Sequence, residues 1–155
     1  MIEQVIESTL QKSEMVSWSN SYSVGVSTID DQHQELVRCT NALFFACLEG
    51  KEAAGDSFKE SIHMAVDYIK QHFKYEENLL QKINYPALAE HKAQHEIFVK
   101  EVLSEVAKYE SGNRFAPNTF VRFLKEWILN HIAIYDKKYG QYCAQLRAQG
   151  VTIPL

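Results

Sequence analysis

The histidines of this 155-residue chain are not scattered, because five of the six fall into patterns with one another or with carboxylates. Two patterns have a spacing of four residues, which places both side chains on one face of an α-helix. A third has a spacing of five, and one further histidine follows an acidic pair. The seven residues concerned are His33, His72, Glu76, His91, His95, His131 and Asp136.

This set of side chains favours a metal centre over ordinary core residues. Each buried polar group without a partner costs about 1–3 kcal/mol, so seven in one core need a cation or a dense hydrogen-bond network. Imidazoles and carboxylates without a thiolate suit Fe, Mn, Zn or Cu. One tetrahedral zinc would use only four ligands, whereas two ions can use all seven. With bridging carboxylates, we expect the histidines to divide into His91, His95 and His131 on one ion and His33 and His72 on the other. An added oxo or hydroxo bridge then leaves one coordination position open.

The spacing of His131 and Asp136 predicts a local departure from the α-helix. In a regular helix, residues five apart lie about 140° apart, too far to converge on one ion. A π-turn, which has i→i+5 hydrogen bonds and is frequent at functional sites, brings them together. We therefore predict a π-turn over residues 131–136.

Apolar stripes and turn signals predict four long amphipathic helices that carry these residues. The expected helices run from about Asp30 to Leu48, from Asp56 to about Ile83, from Pro86 to about Ser111, and from Pro117 to about Leu146. Short connectors make neighbouring helices antiparallel, so the expected fold is all-α, an up-down-up-down antiparallel four-helix bundle with an N-terminal arm. The expected boundaries are an arm at 1–15, the bundle at 16–146 and a tail at 147–155. The arm has the pattern of a short helix and serves as apolar cover or as an oligomer contact.

Composition excludes several classes of protein. Hydrophobic residues make up 46% of the chain, as in globular proteins, and the net charge of −4 comes without a basic block, which argues against nucleic acid. The longest apolar run, residues 42–48, is far too short for a membrane span. The first residues lack the pattern of a signal peptide. Because the three cysteines form no CxxC, we expect a reduced, cytoplasmic location.

Four motifs surround the candidate ligands: IDDQH at 29–33, HFKYEE at 72–77, HKAQH at 91–95, and WILNHI at 127–132 followed by DKKY at 136–139. In these motifs the chain resembles the hemerythrin family, specifically the single-domain bacteriohemerythrins, over roughly residues 16–143. The resemblance implies two iron ions with an oxo or hydroxo bridge that bind O2 reversibly at the open iron. It also implies oxygen storage, transport or delivery to oxygen-requiring enzymes, and a carrier rather than an enzyme.

An open coordination position for O2 needs an apolar wall, because water and protons promote oxidation. Helical spacing places five apolar residues near it: Leu36, Phe73, Trp127, Ile128 and Ile132. The same positions also fit an ordinary bundle core. Tyr139, one turn beyond Asp136, can donate a hydrogen bond to a ligand carboxylate or can simply lie at the rim.

Rival functions remain open from the residues alone: a sensor of O2, redox state or iron that acts through a partner, a weak peroxidase or peroxide- and NO-scavenging enzyme, and an iron store. A carrier is favoured because bundle di-iron oxygenases use mainly carboxylates and two Glu-x-x-His motifs. This chain has one such motif, Glu60 to His63, and His63 lies about 180° from His72 around the helix. Lys92 stands where a zinc protease of the His-Glu-x-x-His type needs its glutamate. The expected partners are O2 and an oxygen-consuming enzyme or signalling protein, and the expected state is a monomer or weak homo-oligomer.

Overall fold

The computed structural model of the protein describes residues 15–48, 56–112 and 116–154. These residues form helices and connecting turns without a strand. The helices are α1 (Ser27–Leu48), α2 (Asp56–Lys82), α3 (Leu88–Glu110), α4 (Pro117–His131) and α5 (Lys137–Ala148). A π-turn (Ile132–Asp136) joins α4 to α5, so the three pieces form one continuous rod, and a short 3-10 turn (Asn20–Tyr22) precedes α1. The predicted arm at 1–15 lies outside the described residues except for Met15, and the proposed domain boundaries stay a prediction.

The helices pack as a four-helix bundle, which confirms the predicted fold class. α1 packs against α2 and α4, and α2 packs against α3. Aromatic rings connect α3 to α4, since Phe98 stacks on Trp127 with ring centroids 3.7 Å apart and lies 5.6 Å from Phe123. Within the described parts of the chain, none of the helices has the length and apolarity required to cross a bilayer.

The core consists of two clusters of buried apolar residues that lie on either side of the predicted ligands along each helix. The larger cluster runs along the bundle and includes Leu43, Ile62 and Val121. The smaller cluster closes one end and includes Ile29 and Leu80. The apolar stripes predicted for α2 and α3 are buried within these clusters, and so is that of α4 and the π-turn except for Trp127, which is half-buried. The ligands are therefore held between two apolar layers that exclude water.

Two helix starts differ from the sequence prediction. α1 begins at Ser27, three residues before Asp30. The Asp30 carboxylate accepts hydrogen bonds from the Val24 N–H (2.8 Å) and the Ser23 hydroxyl (2.6 Å), so it ties the preceding segment to the first turn. α3 begins at Leu88, whose N–H donates to the Tyr85 carbonyl (3.2 Å), so the predicted helical position of Pro86 is wrong and Pro86 lies in the turn.

The described segment before α1 is mainly irregular and is fixed by a few specific contacts. The Asn41 side chain accepts from the Val16 N–H (3.0 Å) and donates to the Val16 carbonyl (2.8 Å). Gly140 on α5 permits close approach of Val24, because a Cβ at position 140 would come within 2.4 Å of the Val24 carbonyl oxygen. This contact joins the N-terminal segment to the helix that follows the π-turn.

Candidate metal centre

All seven predicted ligand residues meet in the interior of the bundle. His33 lies early in α1, His72 and Glu76 lie in the second half of α2, and two histidines lie early in α3. His131 ends α4 and Asp136 ends the π-turn. Each of the seven residues is at most 5% exposed: His33, His72, Glu76, His91, His95, His131 and Asp136. Antiparallel packing brings these positions to one level, since the start of α1 lies beside the end of α2 and the start of α3.

The π-turn predicted over residues 131–136 is confirmed. Residues Ile132–Asp136 have π geometry between two regular α-helices. As a result His131 and Asp136 point to the same side, with His131 Nε2 3.1 Å from Asp136 Oδ1. The wider turn thus brings together two ligands that a regular helix would separate.

One oxygen of each carboxylate faces a set of three histidines. Glu76 Oε1 lies 2.5 Å from His91 Nε2 and 3.3 Å from His95 Nε2. Asp136 Oδ1 lies 3.1 Å from His131 Nε2 and 3.5 Å from His91 Nε2. Glu76 and the three histidines offer ligand atoms within 4.8 Å of one another, a geometry able to hold one metal ion.

The other oxygen of each carboxylate faces the remaining two histidines. Glu76 Oε2 lies 3.4 Å from His72 Nε2 and 3.7 Å from His33 Nε2. Asp136 Oδ2 lies 3.1 Å from His33 Nε2. His33, His72 and Glu76 form a second group able to hold an ion, so Glu76 belongs to both groups. The arrangement corresponds to the three-plus-two division expected from the sequence, with each carboxylate between the two sets.

Unpaired buried atoms indicate that this donor set fits metal ions. Among the described residues, both ring nitrogens of His33 and both carboxylate oxygens of Asp136 lack a hydrogen-bond partner. The Nε2 atoms of His95 and His131 face each other at 3.1 Å, so two lone pairs would oppose one another without a proton or cation between them. Such groups cost free energy when they stay unsatisfied in a core, and coordinated cations would satisfy them.

Hydrogen bonds from outside the cluster orient several of its members. The Nδ1–H groups of His72 and His95 point to Gln32 Oε1 (2.8 Å) and Glu77 Oε1 (2.9 Å), which leaves each Nε2 free as an electron-pair donor. The Tyr139 hydroxyl donates to Glu76 Oε2 at 2.7 Å. Sequence reasoning singled out Tyr139 but missed Gln32 and Glu77. The available signal was their position, since each directly adjoins a candidate ligand.

The two buried carboxylates of the cluster carry negative charge that protons or cations must balance. Burial raises the pKa values of Glu76 and Asp136, but the surrounding histidines outweigh burial and hold both below their usual range. Burial lowers the pKa of His33, yet the contacts with these two carboxylates raise it to about 9, and the pKa of His91 is raised in the same way. Burial dominates for His72 and lowers its pKa to about 4. Two buried carboxylates are therefore ionised at neutral pH, and either protons or metal ions must balance them.

A small, mainly apolar cavity adjoins His33 and His72 of the two-histidine set, and His131 and Asp136 also line it. All five residues predicted for the wall of the open position line it: Leu36, Phe73, Trp127, Ile128 and Ile132. Ile69 and Phe98 also line it and were missed, although each lies three residues from a candidate ligand. The cavity volume of about 10 Å³ is close to that needed by a single water-sized molecule.

The remaining histidine is separate from this centre, as its spacing predicted. His63 is exposed, and its Nε2 lies 2.9 Å from Glu110 Oε1 on α3. It therefore offers a matched position for control substitutions outside the cluster.

The fold and the cluster together define a class of protein, a four-helix bundle with a buried histidine and carboxylate centre able to hold metal. Residues 24–143 match the family described as Hemerythrin HHE cation binding domain. The chain therefore belongs to the hemerythrin family.

Individual relatives agree with this assignment. A bacteriohemerythrin of Stenotrophomonas maltophilia is 31% identical over 126 residues, which cover 81% of this chain and 80% of that protein. A hemerythrin-like protein of Naegleria gruberi is 30% identical and covers 79% of this chain and 89% of its own length. A crystal structure of wild-type hemerythrin matches with a TM-score of 0.76 at 29% identity, over 82% of this chain and 96% of that chain.

Proposed function

We propose that this protein binds O2 reversibly at a non-haem di-iron centre and serves oxygen storage, transport or delivery. The observation that carries the proposal is the apolar cavity beside the two-histidine set. Shared carboxylates give one side of the centre five protein donors and the other side four. Both histidines of the side with fewer donors line the cavity, whereas only His131 of the other set does. A small apolar ligand can therefore approach the less saturated side.

Seven residues would hold the metal in this proposal. His91, His95 and His131 would hold one iron, His33 and His72 would hold the other, and both would share Glu76 and Asp136. An oxo or hydroxo bridge completes the expected set. Bound iron(II) would supply the electrons that reversible O2 binding requires.

The surrounding residues of this chain would protect that binding. Leu36, Ile128 and Ile132 are at most 5% exposed and present only hydrocarbon to the cavity. They exclude the water and protons that promote oxidation of the centre. The Tyr139 hydroxyl donates a hydrogen bond to Glu76 Oε2, so the shared carboxylate keeps its orientation.

Family membership and donor chemistry both favour O2 binding over enzymatic turnover. The relatives are named as bacteriohemerythrin and hemerythrin, and the resemblance of the sequence motifs to that family implies O2 as the ligand. Bundle enzymes that activate O2 use mainly carboxylate donors, which stabilise the high oxidation states needed for O–O cleavage. Five neutral imidazoles stabilise those states less, so O2 is expected to stay intact.

The three cysteines support a reducing location for this activity. Cys39, Cys47 and Cys143 are all free thiols, as is typical of proteins kept in the cytosol. We therefore propose a cytoplasmic location. The proposed partner, an oxygen-consuming enzyme, follows from the proposed delivery of O2.

The test combines metal analysis with oxygenation of the reduced protein. We expect two irons per chain and an optical change on exposure to air that reverses under vacuum. An enzyme would instead consume O2 or peroxide catalytically, and that result would contradict the proposal.

Substitution of His72 tests the site itself. His72→Ala removes one of the two histidines beside the cavity, so we expect loss of the reversible optical change. His63→Ala is the matched control, because His63 lies on the same helix but is exposed, and it should behave as the wild type. Retained oxygenation in the His72 variant would refute the assignment.

A further inference from the structure

A single aromatic side chain separates the internal cavity from an open cleft on the bundle surface. The cleft has a volume of about 300 Å³ and lies between α2 and α3. Besides Phe73, its lining includes Lys70, Lys74, Val99 and Lys100, and also the candidate ligand His95 with its hydrogen-bond partner Glu77. Phe73 lines both this cleft and the internal cavity, so its ring forms a shared wall.

The Phe73 ring closes the wall between cavity and cleft, but few contacts hold it in place. Its ring is 6% exposed and stacks on the His95 imidazole, with centroids 3.6 Å apart and an interplanar angle of 2°. Toward the cavity it meets Trp127 at 5.7 Å and Phe98 at 6.1 Å in tilted geometry. Rotation toward the cleft would therefore break one parallel stack and move the ring into open space.

Trp127, the half-buried aromatic residue of the cavity wall, is held more firmly. It stacks in near-parallel geometry on Phe98 at 3.7 Å and on His131 at 4.4 Å. Its displacement would break two stacks, whereas displacement of Phe73 breaks one; in both cases a candidate metal ligand, His131 or His95, is one of the stacked rings. Leu36 and Ile69, further parts of the wall, are each 3% exposed and line only the cavity and not the cleft.

We propose that O2 reaches the cavity from the α2–α3 cleft by displacement of the Phe73 ring, which acts as a gate. This inference rests on the proposed function, because it concerns the path to the same cavity. Since opening breaks one aromatic stack, removal of the ring should accelerate passage roughly two- to tenfold. A gate changes association and dissociation rates by the same factor and leaves the equilibrium affinity unchanged.

The sharpest test narrows the cleft with a larger side chain at a position that does not line the cavity. Val99 lines the cleft and does not line the cavity, so Val99→Phe should slow both O2 association and O2 dissociation while Kd stays constant. Ala107→Phe, on an exposed position of the same helix, is the control and should leave both rates unchanged. Phe73→Ala should accelerate both rates; because Phe73 is also part of the cavity wall, the constant Kd is required only of Val99→Phe. Leu36→Ala enlarges the cavity alone and should not increase the association rate.

A second measurement does not depend on oxygen binding by iron. Trp127 lines the cavity and is half-buried, so in a Trp18→Phe background its fluorescence lifetime in the oxidised protein reports collisions with O2 from solvent and from the cavity, and the change caused by Val99→Phe measures the cavity part. Val99→Phe should lower this quenching and Phe73→Ala should raise it, with Ala107→Phe as before. If quenching responds while the reduced protein fails to bind O2, the gate stands and the proposed function fails. If O2 binds reversibly but Val99→Phe alters neither the rates nor the quenching, the gate proposal is overturned.

Discussion

Tyr139→Phe removes a single hydroxyl from the metal centre and leaves its apolar ring in place. The Tyr139 side chain is fully buried, and its hydroxyl donates to Glu76 Oε2 at 2.7 Å. Burial, together with the nearby Glu76 charge, raises the pKa of Tyr139 well above its usual range, so the hydroxyl stays protonated at any working pH. The substitution therefore tests a donor that is always present in the wild type.

The expected magnitude follows from the charge of the acceptor. A hydrogen bond to a charged group contributes about 1.5–3 kcal/mol, more than one between neutral groups. Because Glu76 is shared by both histidine sets, its loss of orientation weakens both sites. At about 1.4 kcal/mol per factor of ten, we expect metal affinity to fall about 10- to 100-fold, the range typical of lost supporting hydrogen bonds around metal ligands.

Anaerobic chelator competition with iron(II) measures this affinity directly. Tyr142→Phe is the matched control, since the Tyr142 hydroxyl donates at 3.2 Å to the carbonyl oxygens of Ile83 and Asn84, outside the centre. Circular dichroism shows whether both variants keep the helical fold. Metal affinity of the Tyr139 variant within twofold of the wild type would refute the role assigned to this hydrogen bond.

Three further predictions concern the surroundings of the site. Glu77→Ala should weaken metal binding about tenfold in chelator competition because His95 loses its Nδ1 acceptor, and Glu77→Gln should restore most of it; equal affinities for the two variants would contradict this role. Gly140→Ala should destabilise the protein by about 1–3 kcal/mol in urea unfolding, since the new Cβ meets the Val24 carbonyl; an unchanged midpoint would show that the segment yields. The His33 pKa of about 9, raised from 6.5, means that its protonation stabilises the metal-free fold fully below about pH 6.5 and that this contribution is lost as pH rises through 9. The unfolding free energy of metal-free protein should fall over that interval, and it should fall less in His33→Gln.

The ligand-bearing helices were predictable because their signals are local in the sequence. His91 and His95 share a helix face through their spacing alone, and the spacing of His131 and Asp136 predicted the π-turn that the structure contains. The apolar stripes likewise indicated which faces enter the core. These features depend on helical periodicity, which does not require knowledge of the other helices.

Features that depend on contacts between elements were predicted less well. Gln32 and Glu77 do not belong to the spacing pattern of the ligands. They accept hydrogen bonds from the Nδ1–H groups of His72 and His95 on neighbouring helices. The start of α1 was placed too late because Asp30 caps the preceding segment by side-chain hydrogen bonds to Ser23 and Val24. In each case the hydrogen bond joins two elements, so helical periodicity does not show which partner the side chain reaches.

The π-turn has a consequence for transplanting this centre into a designed bundle. Its extra residue rotates everything after Asp136 by about 100° relative to an uninterrupted α-helix. Tyr139, Gly140 and Cys143 face the interior only because of that offset. A scaffold of straight helices that copied only the ligands would turn Tyr139 toward solvent. It would also move Gly140 away from its contact with Val24. The extra residue of the π-turn thus determines which face of α5 points into the bundle, and a design that copies the centre must include it.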